Sequence, residues 1–311
     1  MKHFKKFTTI EEYNNFISSE LFIKPNVSKI GKTLQYHKKV VYKMFDILWA
    51  NSNGDKKVDS NILDPSEGYV PIGICVAGTD FFGKGELARF MSLKYMSDIT
   101  PDTGDLSGHW INWGNNEVYM EGMPLYPIYS IYQNIDTSKD MFVYGTENRY
   151  NNFPSVFDAN GNWNLSEVGE KNQYVITDVN GKQHTEIMLN YATAQENWRT
   201  DSTITKSGNS GYSPAACCCW RYHTLGTQQG DWYLPAAGEF IIFAEKRNEF
   251  AVILNTLKSQ YDNYVAGSFN DYGYLWTSTA QDNGGAVRFI GKQIAGKHKG
   301  DDDNIFAFIQ L

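Results

Sequence analysis

The chain has 311 residues, 41% of them apolar and 20% charged, enough for a buried core and inconsistent with wholesale disorder. Its aromatic share is high, with 18 Phe, 20 Tyr and 8 Trp, and 27 Gly against 9 Pro point to short strands and many turns. The net charge of −7 argues against a general nucleic-acid binder. That charge is uneven: residues 1–60 carry +5 and the remainder −12, which suggests two parts with different partners.

From the N-terminus, Thr9-x-x-Glu12, or Thr8-x-x-Glu11 one residue earlier, gives a capping-box signal for a helix over about 7–19. Ile10, Tyr13, Phe16 and Ile17 share one face of it, and Lys24-Pro25 cannot continue it. So short a helix is marginal alone, so its apolar face should dock, either on its own domain or on a neighbouring chain. Residues 34–65 read as a small β segment. Lys39–Lys43 and Phe45–Trp49 are strand candidates, followed by a turn at Asn53-Gly54-Asp55. Tyr69–Ala77 is an apolar strand candidate, paired with Ala88–Met96 across a glycine-rich connection. Residues 100–180 are loop-rich. Thr185 to about Ala194 reads as a helix capped by Thr185, Asp178 or Asn180. Pro235 to about Lys246 reads as a second helix with Phe240, Phe243 and Ala244 as its buried stripe. Asn248 is a candidate cap for a further set of turns carrying Phe250, Ile253, Leu254 and Leu257. Strands at 273–279, 285–290 and 305–309 close the chain.

Chemistry-bearing motifs are sparse. The six histidines are scattered, without HExxH spacing, and no P-loop, G-x-G-x-x-G or G-x-S-x-G occurs. Cys75 stands apart from the contiguous Cys217, Cys218 and Cys219, which read as small buried residues rather than a zinc set. Asp301-Asp302-Asp303-Asn304 offers clustered oxygens for calcium without an EF-hand loop, and reads better as a solvated turn. No catalytic residue, metal or cofactor is therefore expected. No apolar run is long enough for a membrane span, and no export signal is read near Met1, so a cytoplasmically made, non-inserted protein is expected.

The ordered blocks Ala215-Ala216-Cys217, Gly230-Asp231-Trp232-Tyr233-Leu234-Pro235-Ala236-Ala237-Gly238-Glu239-Phe240, Leu275-Trp276-Thr277-Ser278-Thr279 and Ala286-Val287-Arg288-Phe289 resemble the C-type-lectin-like domains of bacterial and phage surface proteins. Phe240 stands where that pattern often has Leu, and Leu275-Trp276-Thr277 where it often has Tyr-Trp-Ser. The resemblance implies an α+β fold, a twisted antiparallel sheet with two helices and long loops. It would cover 66–311 with an insertion at about 100–180, behind an anchor or assembly segment at 1–33 and the β segment at 34–65. The stretch from Phe4 to Ile30, with Phe7, Thr9, Glu11, Glu12, Tyr13, Phe16, Ile17, Lys24, Pro25 and Asn26, is similar to virion proteins of crAss-like gut phages.

That second resemblance implies a non-enzymatic structural protein on the virion surface, of head-fibre or capsid-decoration type. It would be anchored to capsid or another virion protein through Ile10, Tyr13, Phe16 and Ile17, often as a homotrimer. The lectin-like head would bind a bacterial-surface glycan or protein. A tail-associated adhesin and a cellular surface protein are the alternatives. A formylglycine-generating-type enzyme is the third, disfavoured because its reactive cysteines are spaced apart late in the domain. Ligand contacts are expected on irregular loops, at Tyr212, Trp220, Arg221 and Tyr222 and at Asn270, Asp271 and Tyr272, because such side chains combine large contact area with adaptable hydrogen bonds.

Overall fold

The computed structural model describes residues 40–79, 81, 87–96, 111–114, 120–126, 175, 178–193, 213–265, 274–281, 284–290, 293–299 and 302–311. The chain divides into two units, Met1–Tyr42 and Lys43–Leu311. The expected N-terminal helix and the expected docking residues Ile10, Tyr13, Phe16 and Ile17 lie outside the described residues, as does Lys39 of the first strand candidate. Residues 40–43 of that candidate are irregular.

The second unit is α+β. Its main sheet is antiparallel and six-stranded, in the order β2-β1-β3-β4-β11-β6. The strands are β1 (Ile47–Asn51), β2 (Lys56–Asp59), β3 (Tyr69–Ala77), β4 (Arg89–Ser92), β6 (Trp232–Tyr233) and β11 (Phe308–Gln310). A second antiparallel sheet holds β7 (Tyr274–Ala280), β8 (Gly285–Ile290) and β9 (Gln293–His298), and β5 (Ile111–Asn112) pairs with β10 (Asp302–Asp303). Four α-helices occur among the described residues, where two were expected: α1 (Gly181–Thr193), α2 (Pro214–Arg221), α3 (Ala237–Glu245) and α4 (Arg247–Gln260).

β1 and β2 form the hairpin read from Asn53-Gly54-Asp55. Asn51 Oδ1 accepts from the backbone N–H of Asn53 and Asp55, and Gly54 supplies the φ of 83° that the reversal needs. β1 is hydrogen-bonded to β3, so the β1–β2 hairpin belongs to the same sheet as the strands that follow. β3 is buried at every position from Pro71 to Ala77, so it reads as a continuous apolar run instead of an alternation, as a strand covered on both faces must. Pro71, which cannot donate to the ladder, sits opposite Trp49 where the register slips.

The final strand enters the sheet between β4 and β6. Phe308 pairs with Met91 on one side and Tyr233 on the other, and Ala88 and Leu311 exchange backbone hydrogen bonds of 3.0 and 3.1 Å. The core between the sheets is a chain of phenylalanines. Ring centroids lie 5.0 Å apart for Phe240–Phe289, 5.4 Å for Phe240–Phe243 and 5.2 Å for Phe243–Phe250. Each such burial stabilises by roughly 1.5–3 kcal/mol.

Helix α3 has no exposed face. Every residue from Ala237 to Ala244 is buried, because the helix packs on β3 on one side and on β7 and β8 on the other. The expected stripe of Phe240, Phe243 and Ala244 is thus part of a surface buried all round, polar only at Glu239. α4 is amphipathic, with Phe250, Ala251, Leu254 and Leu257 inward and Val252 outward. Its cap is Lys246, and Asn248 falls inside the first turn, correcting the expected cap. α1 begins at Gly181, so Thr185 is interior to the helix and does not cap it.

Candidate functional site

The motif residues converge on one interior hub. Glu239, in the first turn of α3, is fully buried. Its Oε1 accepts from Arg89 Nε at 3.1 Å and from the Tyr233 hydroxyl at 2.9 Å, and its Oε2 accepts from the Ala236 N–H at 2.9 Å. Burial pushes the carboxyl up to about 7, while the adjacent Arg89 guanidinium and the Ala236 N–H pull it back. Gly181 is required beside it. A Cβ there would stand 2.3 Å from Glu239 Oε2 and 2.5 Å from the Ala236 nitrogen.

The strand block locks onto the same hub. The Thr279 hydroxyl donates to Asp178 Oδ2 at 2.6 Å and accepts from the Ala237 N–H at 2.9 Å. The Ser278 N–H donates to the Pro235 carbonyl at 2.7 Å, and the Thr185 hydroxyl accepts from the Leu234 N–H at 2.9 Å. Trp113 Nε1 donates to the Thr277 carbonyl at 2.6 Å. The Leu234-Pro235 turn, α1 and β7 are therefore pinned together by side chains that satisfy backbone groups.

The hub brings together a serine, a histidine and an aspartate that sequence spacing did not connect. Ser278 Oγ lies 3.4 Å and Asp178 Oδ2 3.3 Å from the same nitrogen, Nδ1 of His184. A proton relay needs the serine on one ring nitrogen and the carboxylate on the other. All three residues are also buried, which leaves no approach for a substrate. Burial pushes His184 down to about 4 and Asp178 up to about 6. The cluster has the composition of a catalytic triad without its geometry.

Cys217, Cys218 and Cys219 lie on α2 and are buried. Burial pushes the Cys217 thiol up to about 12 and raises those of Cys218, Cys219 and Cys75, so the nucleophilic and metal-binding thiolate is disfavoured at all four. Among the described residues, no group of three His, Cys, Asp or Glu is placed to hold a metal. Asp303 does not stand in a solvated turn: it is fully buried in β10, and its Oδ1 accepts from Arg288 Nη1 at 3.2 Å.

The expected ligand residues fare differently. Tyr212, Asn270, Asp271 and Tyr272 lie outside the described residues. Trp220 and Arg221 belong to the end of α2, not to an irregular loop. Arg221 and Tyr222 are buried, and the Tyr222 ring packs on Trp232 at 4.9 Å. Arg221 and Tyr222 are therefore interior side chains, because the run Pro214–Arg221 is helical and buried at seven of its eight positions.

A surface groove that the sequence reading missed lies elsewhere, with a volume of about 300 Å³. One wall is the 3₁₀ turn Pro65–Glu67 and the start of β3; the other is the end of α4 and the 3₁₀ turn Asp262–Tyr264. Asp64 and Glu67 form a capping box on the first wall. The Tyr261 hydroxyl donates to the Leu63 carbonyl at 2.9 Å and ties the two walls together. Tyr69, Gln260, Asn263 and Tyr264 line the groove, and Tyr264 is 38% exposed. The cluster Gln260-Tyr261-Asp262-Asn263-Tyr264 at a helix end was the available sequence signal.

No protein-family model matches the chain, and a search of curated proteins gives no match. Among solved structures, the chain is similar to a fimbrial protein from Bacteroides ovatus ATCC 8483. The TM-score is 0.43 at 15% identity, covering 86% of this chain and 49% of that one. The chain thus spans about half the length of that protein, and the likeness is too distant to carry an argument about either fold family or activity.

Proposed function

We propose that this is a non-enzymatic, surface-displayed binding protein whose second unit is a C-type-lectin-like head. On this reading it is a virion structural protein of head-fibre or decoration type, and residues 1–33 attach it to the particle. The observation that carries the reading is the fate of the motif residues. Trp232, Leu234, Pro235, Glu239, Trp276, Thr277, Ser278 and Thr279 are buried, and the polar ones among them bond to one another's segments. Side chains so placed hold a scaffold together and leave recognition to its surface. The buried, protonated thiols at 217–219 weigh against the formylglycine-generating-type alternative.

Mass spectrometry of purified particles tests the placement: the chain should be present in stoichiometric amount, and its absence removes the virion reading. Light scattering of the full-length protein should give a trimer; a monomer removes that element. Adhesion of the full-length protein to intact bacterial cells tests the binding role.

A further inference from the structure

We infer that the groove between the Pro65–Val70 segment and the Gln260–Tyr264 segment is a saccharide subsite, taking an uncharged mono- or disaccharide. The inference rests on the surface-binding reading for its class of ligand. It places the contact away from the residues that spacing and composition had singled out.

Three observations point to this chemistry. The first is the balance of lining groups. A sugar ring presents an apolar C–H face and a rim of hydroxyls. The groove offers the exposed ring of Tyr264 for the face, and the amides of Gln260 and Asn263, each both donor and acceptor, for the hydroxyls.

The second is charge. The charged side chains at the rim already have partners on their own walls: Lys57 Nζ lies 3.1 Å from Glu67 Oε2, and Lys258 Nζ lies 3.3 Å from Asp262 Oδ1. Lys57 Nζ also sits 4.2 Å from the centroid of the Tyr69 ring, so one face of that ring is already taken by a cation. Apart from the Lys258-paired Asp262, the lining side chains are neutral, so the polar contacts offered to a ligand are mainly hydroxyl and amide groups.

The third is size and rigidity. A volume of about 300 Å³ is near the lower limit of ligand sites, too small for a docked helix and suited to one or two rings. The walls are two hydrogen-bonded turns joined by the Tyr261–Leu63 bond, and Tyr261 is held edge-on by Trp49 at 5.4 Å. Such a frame loses little entropy when a ligand enters.

The test is ligand-observed NMR of the full-length protein with a panel of neutral sugars: glucose, galactose, mannose, N-acetylglucosamine, lactose and maltose. At least one should show saturation transfer at its C–H protons. Tyr264→Ala should weaken its binding at least about tenfold, and Asn263→Ala several-fold. Unfolding midpoints should be unchanged, because Tyr264 is partly exposed. Absence of transfer to every sugar, or binding that survives both substitutions, overturns the proposal. So does tighter binding at Tyr264 of choline or of a proline-rich peptide. Cell adhesion keeps the two readings apart. Adhesion that persists in Tyr264→Ala removes the groove and leaves the surface role. Absence of adhesion in the unaltered protein removes the surface role, while the sugar titration still decides the groove.

Discussion

The hub around Glu239 and the groove around Tyr264 are made of similar side chains, and they differ in what surrounds them. In the hub, Tyr233, Glu239, Asp178 and Thr279 are buried and bonded to protein partners. In the groove, Tyr264 and its neighbours meet solvent, and the tyrosine that is buried, Tyr261, serves as the tie between the walls. The lesson is that a conspicuous motif in this chain marks what the fold requires, while the proposed recognition groove sits in a stretch without a motif. A buried polar group is costly unless every bond is made, so its sequence context is tightly constrained. An exposed aromatic–amide cluster carries no such constraint.

That contrast can be broken most forcefully at Glu239. Glu239→Ala leaves the buried Arg89 guanidinium without its carboxylate and should destabilise by about 3–5 kcal/mol, read as a lower denaturant midpoint. A loss below about 1 kcal/mol would mean that the hub is not what holds α3 on the sheet.

Next comes Thr279→Val, which removes one donor and one acceptor from the Asp178–Ala237 link and should cost about 1–3 kcal/mol.

The hub should also give stability a pH dependence. Burial raises Asp178 from 3.8 to about 6 and Glu239 from 4.5 to about 7 in the folded chain. Their contributions are fully present below the lower values and are lost as pH rises through the upper ones. His184 works in the opposite sense. It is lowered from 6.5 to about 4, so its contribution is present above 6.5 and is lost as pH falls through about 4. Asp178 and His184 are in contact and titrate as a pair. Between about pH 4.5 and pH 6 the two carboxyls outweigh the one imidazole. The unfolding temperature should therefore fall from about pH 5 to about pH 7.5, and Asp178→Asn should flatten that slope. A rise over the same range would contradict the assignment.

The smallest effects should come from the groove. Tyr261→Phe removes the tie to Leu63 and should cost about 1 kcal/mol. Tyr264→Ala should change stability by no more than about 0.5 kcal/mol while weakening sugar binding at least about tenfold. A larger destabilisation would make Tyr264 a fold residue like those of the hub.

Periodicity and turn chemistry determined a good part of the fold. The bounds of β3, the turn at Gly54 and the inward face of α4 were legible because each is a local pattern of burial or backbone need within one element. α2 was not legible, because a helix buried nearly all round shows no polar face to set the period. The hub, the insertion of the last strand and the groove were decided by tertiary structure alone. Glu239 meets Arg89 across 150 residues of chain, Thr279 meets Asp178 across 101, and Tyr261 meets Leu63 across 198. Spacing along a chain records which face of an element is buried. It holds no record of which distant polar atom completes a hydrogen bond there, and those bonds separate the residues that hold this protein together from the ones it leaves open to a ligand.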